Sequence, residues 1–153
     1  MSRRVAAWLL GLSVVLAAAP RARAALGEPA SSVALDAKAL AATRRATAAR
    51  DAYSVHELES AACVVREFVS PSGLVFAVAW QGVSEPDLSP LLGSYAGEYR
   101  TSLSETPRVH GRRSQQVVAA HVVVERWGHM RKLQGRAYVP ALVPPGVKVD
   151  DLR

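Results

Sequence analysis

The sequence predicts an α+β domain: a mainly antiparallel sheet of about five strands with two helices packed on one face. Three observations carry this reading. Between Tyr53 and Val139 the chain holds several strand-length runs that either alternate or are apolar at both parities. Turn residues separate these runs, as in Ser70-Pro71-Ser72-Gly73 and around Gly128. Two stretches with helical spacing, one before the first strand and one between the third and fourth, give the order α, β, β, β, α, β, β.

The first 24 residues lie outside this plan. Ser2-Arg3-Arg4 forms a basic start, and Val5 to Ala19 is an apolar run. Ala22-Arg23-Ala24 then offers small residues at the spacing of a signal-peptidase site. The apolar run is shorter than the ~20 residues a spanning helix needs. Residues 1–24 therefore read as a cleaved Sec-type signal peptide, and 25–153 as a single exported domain, periplasmic or secreted. Four of the 19 basic residues and none of the 13 acidic ones fall in residues 1–24. The high overall charge is thus partly an export feature, and it makes no case for nucleic-acid binding.

Ala25 to Ala30 reads as an extended leader. Ser32 is a candidate N-cap for an Ala-rich helix reaching Arg50, with Asp36 in its first turn and Arg44, Arg45 and Arg50 at its far end. Tyr53 to Ser60 alternates as an amphipathic strand, and Ala61 to Ser70 carries Val64, Val65, Phe68 and Val69 as a second. Leu74 to Gln81 is apolar at both parities, which marks the central strand, joined to its predecessor by a hairpin. Asp87 caps the next helix, whose buried face is Leu88, Leu91, Leu92, Tyr95 and Tyr99 and which ends near Ser102. Gln115 to Trp127 reads as one long β-branched strand and Met130 to Val139 as its return. The proline-rich end docks through Leu142, Val143, Val147 and Leu152. Cys63 is the only cysteine; it excludes an internal disulfide and reads as a buried, inert thiol.

The chain resembles a family of small exported proteins of Gram-negative bacteria classed as a domain of unknown function. The residues that carry the resemblance are LGEPASSV, VREFVSPSGLVFAVAWQGVSEPDLSPLLGSY, GHMRKLQGRAYVPALVPPGV and the closing DDLR. The resemblance implies export and a single domain, and brings no activity, cofactor or catalytic residue with it.

The residues themselves give no signature of an enzyme. His56, His110, His121 and His129 form no paired ligand spacing on one element, so no metal and no cofactor is expected. There is no G-x-S-x-G elbow, no S-x-x-K and no phosphate-cradling glycine loop. What remains is a concentration of aromatic and basic side chains in the C-terminal half. Trp80, Trp127, Arg126, Arg131 and Arg136 are the candidate ligand-binding residues, with core packing the competing role for the aromatics. The expected function is a non-enzymatic binding or accessory protein of the cell envelope. Its expected partner is another exported or envelope protein or an anionic envelope component, with no nucleic acid and no membrane span after cleavage. The alternative is a hydrolase-like envelope enzyme assembled from distant residues, with His121, His129 and Glu125 as its candidates.

Overall fold

The computed structural model describes residues 26–107, 111 and 113–153. It is an α+β domain built on one antiparallel sheet, and the sheet has seven strands, not about five. The strands are β1 (Thr43–Ala49), β2 (Ser54–Glu59), β3 (Cys63–Val69), β4 (Val75–Gly82), β5 (Ser114–Val118), β6 (Val123–His129) and β7 (Lys132–Tyr138), in the order β1-β2-β3-β4-β7-β6-β5. The helices are α1 (Val33–Ala39), α2 (Leu88–Leu92) and α3 (Ala96–Glu105). Four strands meander from one edge to β4. The α2–α3 segment then crosses to the far edge, and β5 to β7 return until β7 pairs with β4.

Both extra strands have a local cause. The Ala-rich stretch does not remain helical to Arg50. Leu40 closes α1, Ala41 takes a left-handed φ of 48°, and Thr43–Ala49 pairs along the outer edge of β2. Sheet pairing outweighs alanine's helix preference there, since propensity is a weak prior against tertiary hydrogen bonding. The run from Gln115 to Trp127 is two strands folded at Ala119–Val122, where the Ala119 N–H donates to the Val122 carbonyl at 2.9 Å. Because Val and Ala dominate both arms, composition does not mark the turn.

Most other elements follow their sequence signals, but the single helix expected to end near Ser102 is broken at Gly93 and runs on to Glu105. The turn Ser70–Leu74 closes the β3–β4 hairpin, with Gly73 at φ 84°. Asp87 caps α2 through its Oδ1, which accepts from the Ser89 N–H at 2.9 Å. Gly93, at φ 51°, breaks the helical segment between α2 and α3. The leader is docked: Leu26 is fully buried, and Gly27 and Glu28 bond to Val75.

Directly paired residues of neighbouring strands share a face of the sheet. The helix-side core contains Val65, Val78, Trp80, Val117, Val124 and Ala137 beneath Leu91, Leu92 and Tyr99. The opposite face holds a smaller cluster of Phe68, Phe76, Ala77 and Ala79, closed by Leu152 from the C-terminal segment. β4 is buried on both faces along its first six residues, as its two-parity apolar pattern requires.

Candidate functional site

One cross-strand row builds the most distinctive surface. Val65, Trp80, Gly135, Arg126 and Gln115 pair successively across β3, β4, β7, β6 and β5 on the helix side. Gly135 is required there. A Cβ on it would stand 2.2 Å from Trp80 Cζ2, so the indole of Trp80 occupies the space above β7 and reaches toward Arg126. Arg126 Nη1 donates to Glu85 Oε2 at 3.2 Å, and the guanidinium lies 5.6 Å from the centre of the Tyr99 ring. Arg126 Nε is buried without a hydrogen-bond partner among the described residues. Outside this group lies a cleft of about 170 Å³ bordered by Trp80, Glu85, Arg113, Gln115, Arg126, Trp127 and Gln134. Its chemistry is two guanidinium groups, one of them paired with a carboxylate, with amides alongside, a set suited to hydrogen-bonding a planar or multiply oxygenated anion.

A second row crosses the opposite face: Glu57, Arg66, Ala79, Arg136, Glu125 and Gln116. Arg66 Nε donates to Glu57 at 2.9 Å, and Gln116 donates to Glu125 at 2.8 Å. Arg136 uses all three guanidinium nitrogens: Nε to Glu125 at 2.5 Å, Nη1 to the Val149 carbonyl at 2.5 Å and Nη2 to Asp150 at 2.8 Å. It clamps the C-terminal segment onto the sheet beside a cleft of about 450 Å³. Trp127 lies in the adjoining row, its Nε1 donating to Gln134 at 2.8 Å and its ring 5.6 Å from the Arg136 guanidinium.

The five sequence candidates therefore separate. Trp80, Trp127 and Arg126 all border the first cleft, although Trp127 and Arg126 are neighbours on β6 and turn their side chains to opposite faces of the sheet. Arg136 lies on the other face with its donors committed. Arg131 is exposed in the β6–β7 turn at φ 64° and borders neither cleft. Arg113, Gln115 and Gln134 join the cleft only through strand pairing. In the sequence Arg113 stands out only as one of the basic residues of the C-terminal half, and the two glutamines carry no signal of their own.

The sequence reading also passed over a buried polar cluster beneath α1. Glu67 stands on β3 between Val65 and Val69, on the helix-side face, and is fully buried; Asp36 of α1 is 2% exposed. No group among the described residues hydrogen-bonds either Glu67 carboxyl oxygen as an ordinary donor. A proton on Asp36 supplies the missing donor. Burial, then the hydrogen bond and the charge of Glu67, push the Asp36 carboxyl up to about 9. Burial also raises Glu67, with Asp36 and Arg44 opposing. Beside them His56 accepts at Nδ1 from Arg44 at 2.5 Å and contacts the Thr47 hydroxyl at 3.1 Å. Burial and the Arg44 charge hold its pKa below the usual range, so the imidazole is neutral. Asp36 thus lies under its helix as half of a proton-sharing pair, and Ser32 donates to the Pro29 carbonyl at 2.5 Å instead of capping with its side chain.

His121, Glu125 and His129 do not converge. His121 and His129 flank opposite ends of β6, roughly 25 Å apart at the rise of an extended strand. His121 Nδ1 meets Glu98 at 3.0 Å; burial works to raise Glu98, but the side-chain and backbone hydrogen bonds from His121 outweigh it and hold the carboxyl low. Glu125 is tied to Arg136, and among the described residues the exposed His129 ring hydrogen-bonds only the Met130 carbonyl. His110 lies outside the described residues. Among the described residues no three His, Cys, Asp or Glu side chains group as metal ligands.

The fold and its clefts define a single-sheet antiparallel α+β domain with its candidate binding surface at the β4–β7–β6–β5 end. The chain belongs to the DUF2844 family, described as a protein of unknown function, which matches residues 22–152. No curated protein matches the chain, and no solved structure does.

Proposed function

We propose that this is an exported, non-enzymatic binding or accessory protein of the cell envelope, periplasmic or secreted. Its tryptophan-lined cleft receives an anionic group of an envelope component or of an exported partner. The observation that carries the reading is the meeting of Arg126 and Arg113 with Trp127, Gln115 and Gln134 around one open cleft. Arg113 is exposed there beside half-buried Arg126 and Gln115, which favours oxyanions on a sugar, lipid or protein surface. The export part rests on the basic start, the short apolar run and Ala22-Arg23-Ala24. No helix among the described residues is long and apolar enough to cross a membrane.

The test is a tryptophan-fluorescence titration of the purified protein with lipopolysaccharide and with an acidic polysaccharide at low and moderate salt. A saturable change is expected that weakens with ionic strength and drops roughly tenfold or more in Arg126→Gln. No saturable change with either anion, or equal binding by the variant, refutes the assignment of the cleft. N-terminal sequencing of protein from its host tests export separately, with a start at Ala25 expected.

A further inference from the structure

The cleft of about 450 Å³ on the face away from the helices has a different chemistry from the first. Strand register assembles one part of it: Ser114 pairs with Trp127 and Gln116 with Glu125 across β5 and β6, and Glu125 pairs with Arg136 of β7. The C-terminal segment adds Asp150 and Arg153, held against the sheet by the Arg136 clamp. Ser114, Gln116, Asp150 and Arg153 are exposed, and Trp127 is half-buried. Several of these groups are fixed through one atom and keep another free. Gln116 donates to Glu125 through Nε2, Asp150 accepts from Arg136 through Oδ1, and Arg153 donates to the Asp150 carbonyl through Nε. Gln116 Oε1, Asp150 Oδ2 and both Arg153 Nη atoms have no hydrogen bond among the described residues. The charges balance, with Glu125 and Asp150 against Arg136 and Arg153. The Arg126 guanidinium is paired with Glu85 on the other face.

We propose that this cleft binds a neutral saccharide, a β-linked pyranose unit with its C–H face on Trp127 and its hydroxyls bonded to Gln116, Asp150 and Arg153. A sugar hydroxyl both donates and accepts, and the cleft offers both roles: Oε1 and Oδ2 accept, and the Nη atoms donate. Gln116 and Asp150 are already tied to Glu125 and Arg136, which lowers the cost of ordering them on binding. Balanced charge gives an anion no advantage over a neutral ligand. An all-equatorial pyranose presents a flat apolar face, which an indole covers better than any smaller side chain. The volume falls within the roughly 300–1,000 Å³ of small-molecule sites. The site takes a neutral ligand and stands apart from the anion reading above.

The experiment is calorimetric titration of the purified protein with cellotriose and with triacetylchitotriose, at low and moderate salt. It is repeated on Trp127→Leu, on Arg126→Gln and on a variant combining Gln116→Ala with Arg153→Ala. Saturable binding of at least one trisaccharide is expected, with a dissociation constant below about 1 mM and no dependence on ionic strength. The Gln116→Ala and Arg153→Ala pair should weaken it roughly tenfold. Both side chains are exposed, so this variant keeps the fold and decides the matter even where Trp127→Leu does not fold. A folded Trp127→Leu should also lose about tenfold. Arg126→Gln should leave saccharide binding unchanged while it weakens the anion, which separates the two sites. Absence of binding by both trisaccharides overturns the proposal. So does affinity that falls with salt, or affinity unchanged in the Gln116→Ala and Arg153→Ala variant.

Discussion

Replacing Glu67 with Gln should stabilise this protein at alkaline pH and lessen its pH dependence, burial alone keeping part of the Asp36 shift. In the folded chain Asp36 keeps its proton up to about 9, whereas in the unfolded chain it releases it near 3.8. Between those values the folded state holds more protons than the unfolded state, so stability falls as pH rises. His56 acts in the opposite sense. Its lowered folded pKa means that the unfolded chain binds the extra proton, which reduces stability as pH falls below 6.5. Between pH 6.5 and 8.5 the His56 contribution fades and the Asp36–Glu67 pair dominates. One proton gives a slope of about 1.4 kcal/mol per pH unit, or about 3 kcal/mol across that window. For a domain of this size the corresponding fall in melting temperature is on the order of 10 °C. Glu67→Gln keeps the side-chain shape and offers Asp36 an amide donor, so an ionised Asp36 no longer meets a second buried charge. Thermal unfolding followed by circular dichroism from pH 6.5 to 8.5 tests this. A flat wild-type profile, or the same slope in Glu67→Gln, would show that the buried pair does not share a proton.

Further perturbations test other parts of the structure. Gly135→Ala places a methyl against the Trp80 indole; it should cost about 1–3 kcal/mol through overpacking and change the near-ultraviolet dichroism of the tryptophans. Arg136→Ala removes the clamp on Val149 and Asp150 and leaves Glu125 with one fewer donor, at a cost of about 2–3 kcal/mol. Hydrogen exchange should then show faster amide exchange at Asp151 and Leu152, whose N–H groups bond within this segment. Unchanged exchange there would remove the clamp role. Ala41→Gly relieves a left-handed alanine and should raise stability by about 1 kcal/mol in denaturant unfolding.

The pattern of the sequence reaches far into this fold. The two-parity apolar run of β4, the Ser70–Gly73 turn, the Asp87 cap and the Leu88–Tyr99 helical face all state their structure locally, through periodicity or turn chemistry. Two strands escaped that reading. β1 is built from alanine, arginine and threonine with every side chain exposed, so no hydrophobic period marks it. The β5–β6 turn lies within a run of valine and alanine and carries no glycine or proline. The site was legible to the extent that Trp80, Trp127 and Arg126 were singled out as large aromatic and basic groups. Their grouping with Arg113, Gln115 and Gln134 depends on strand register, and so does the placement of Arg136 on the other face. The buried pair was hidden for a similar reason. Asp36 on a first helical turn reads as a helix-dipole partner until α1 is known to lie over Glu67.

Local periodicity and turn chemistry specify most strand and helix identities, the class of the fold and the stock of aromatic and cationic side chains. Tertiary structure alone decided which of those side chains meet. Alternation assigns a residue to a face of its own strand, but β5 reaches the sheet only after a crossover of more than 30 residues and β7 closes onto β4. Which residues share a row is therefore fixed by long-range pairing. That pairing sets Gly135 between Trp80 and Arg126, turns Arg136 into a clamp and buries Asp36 against Glu67.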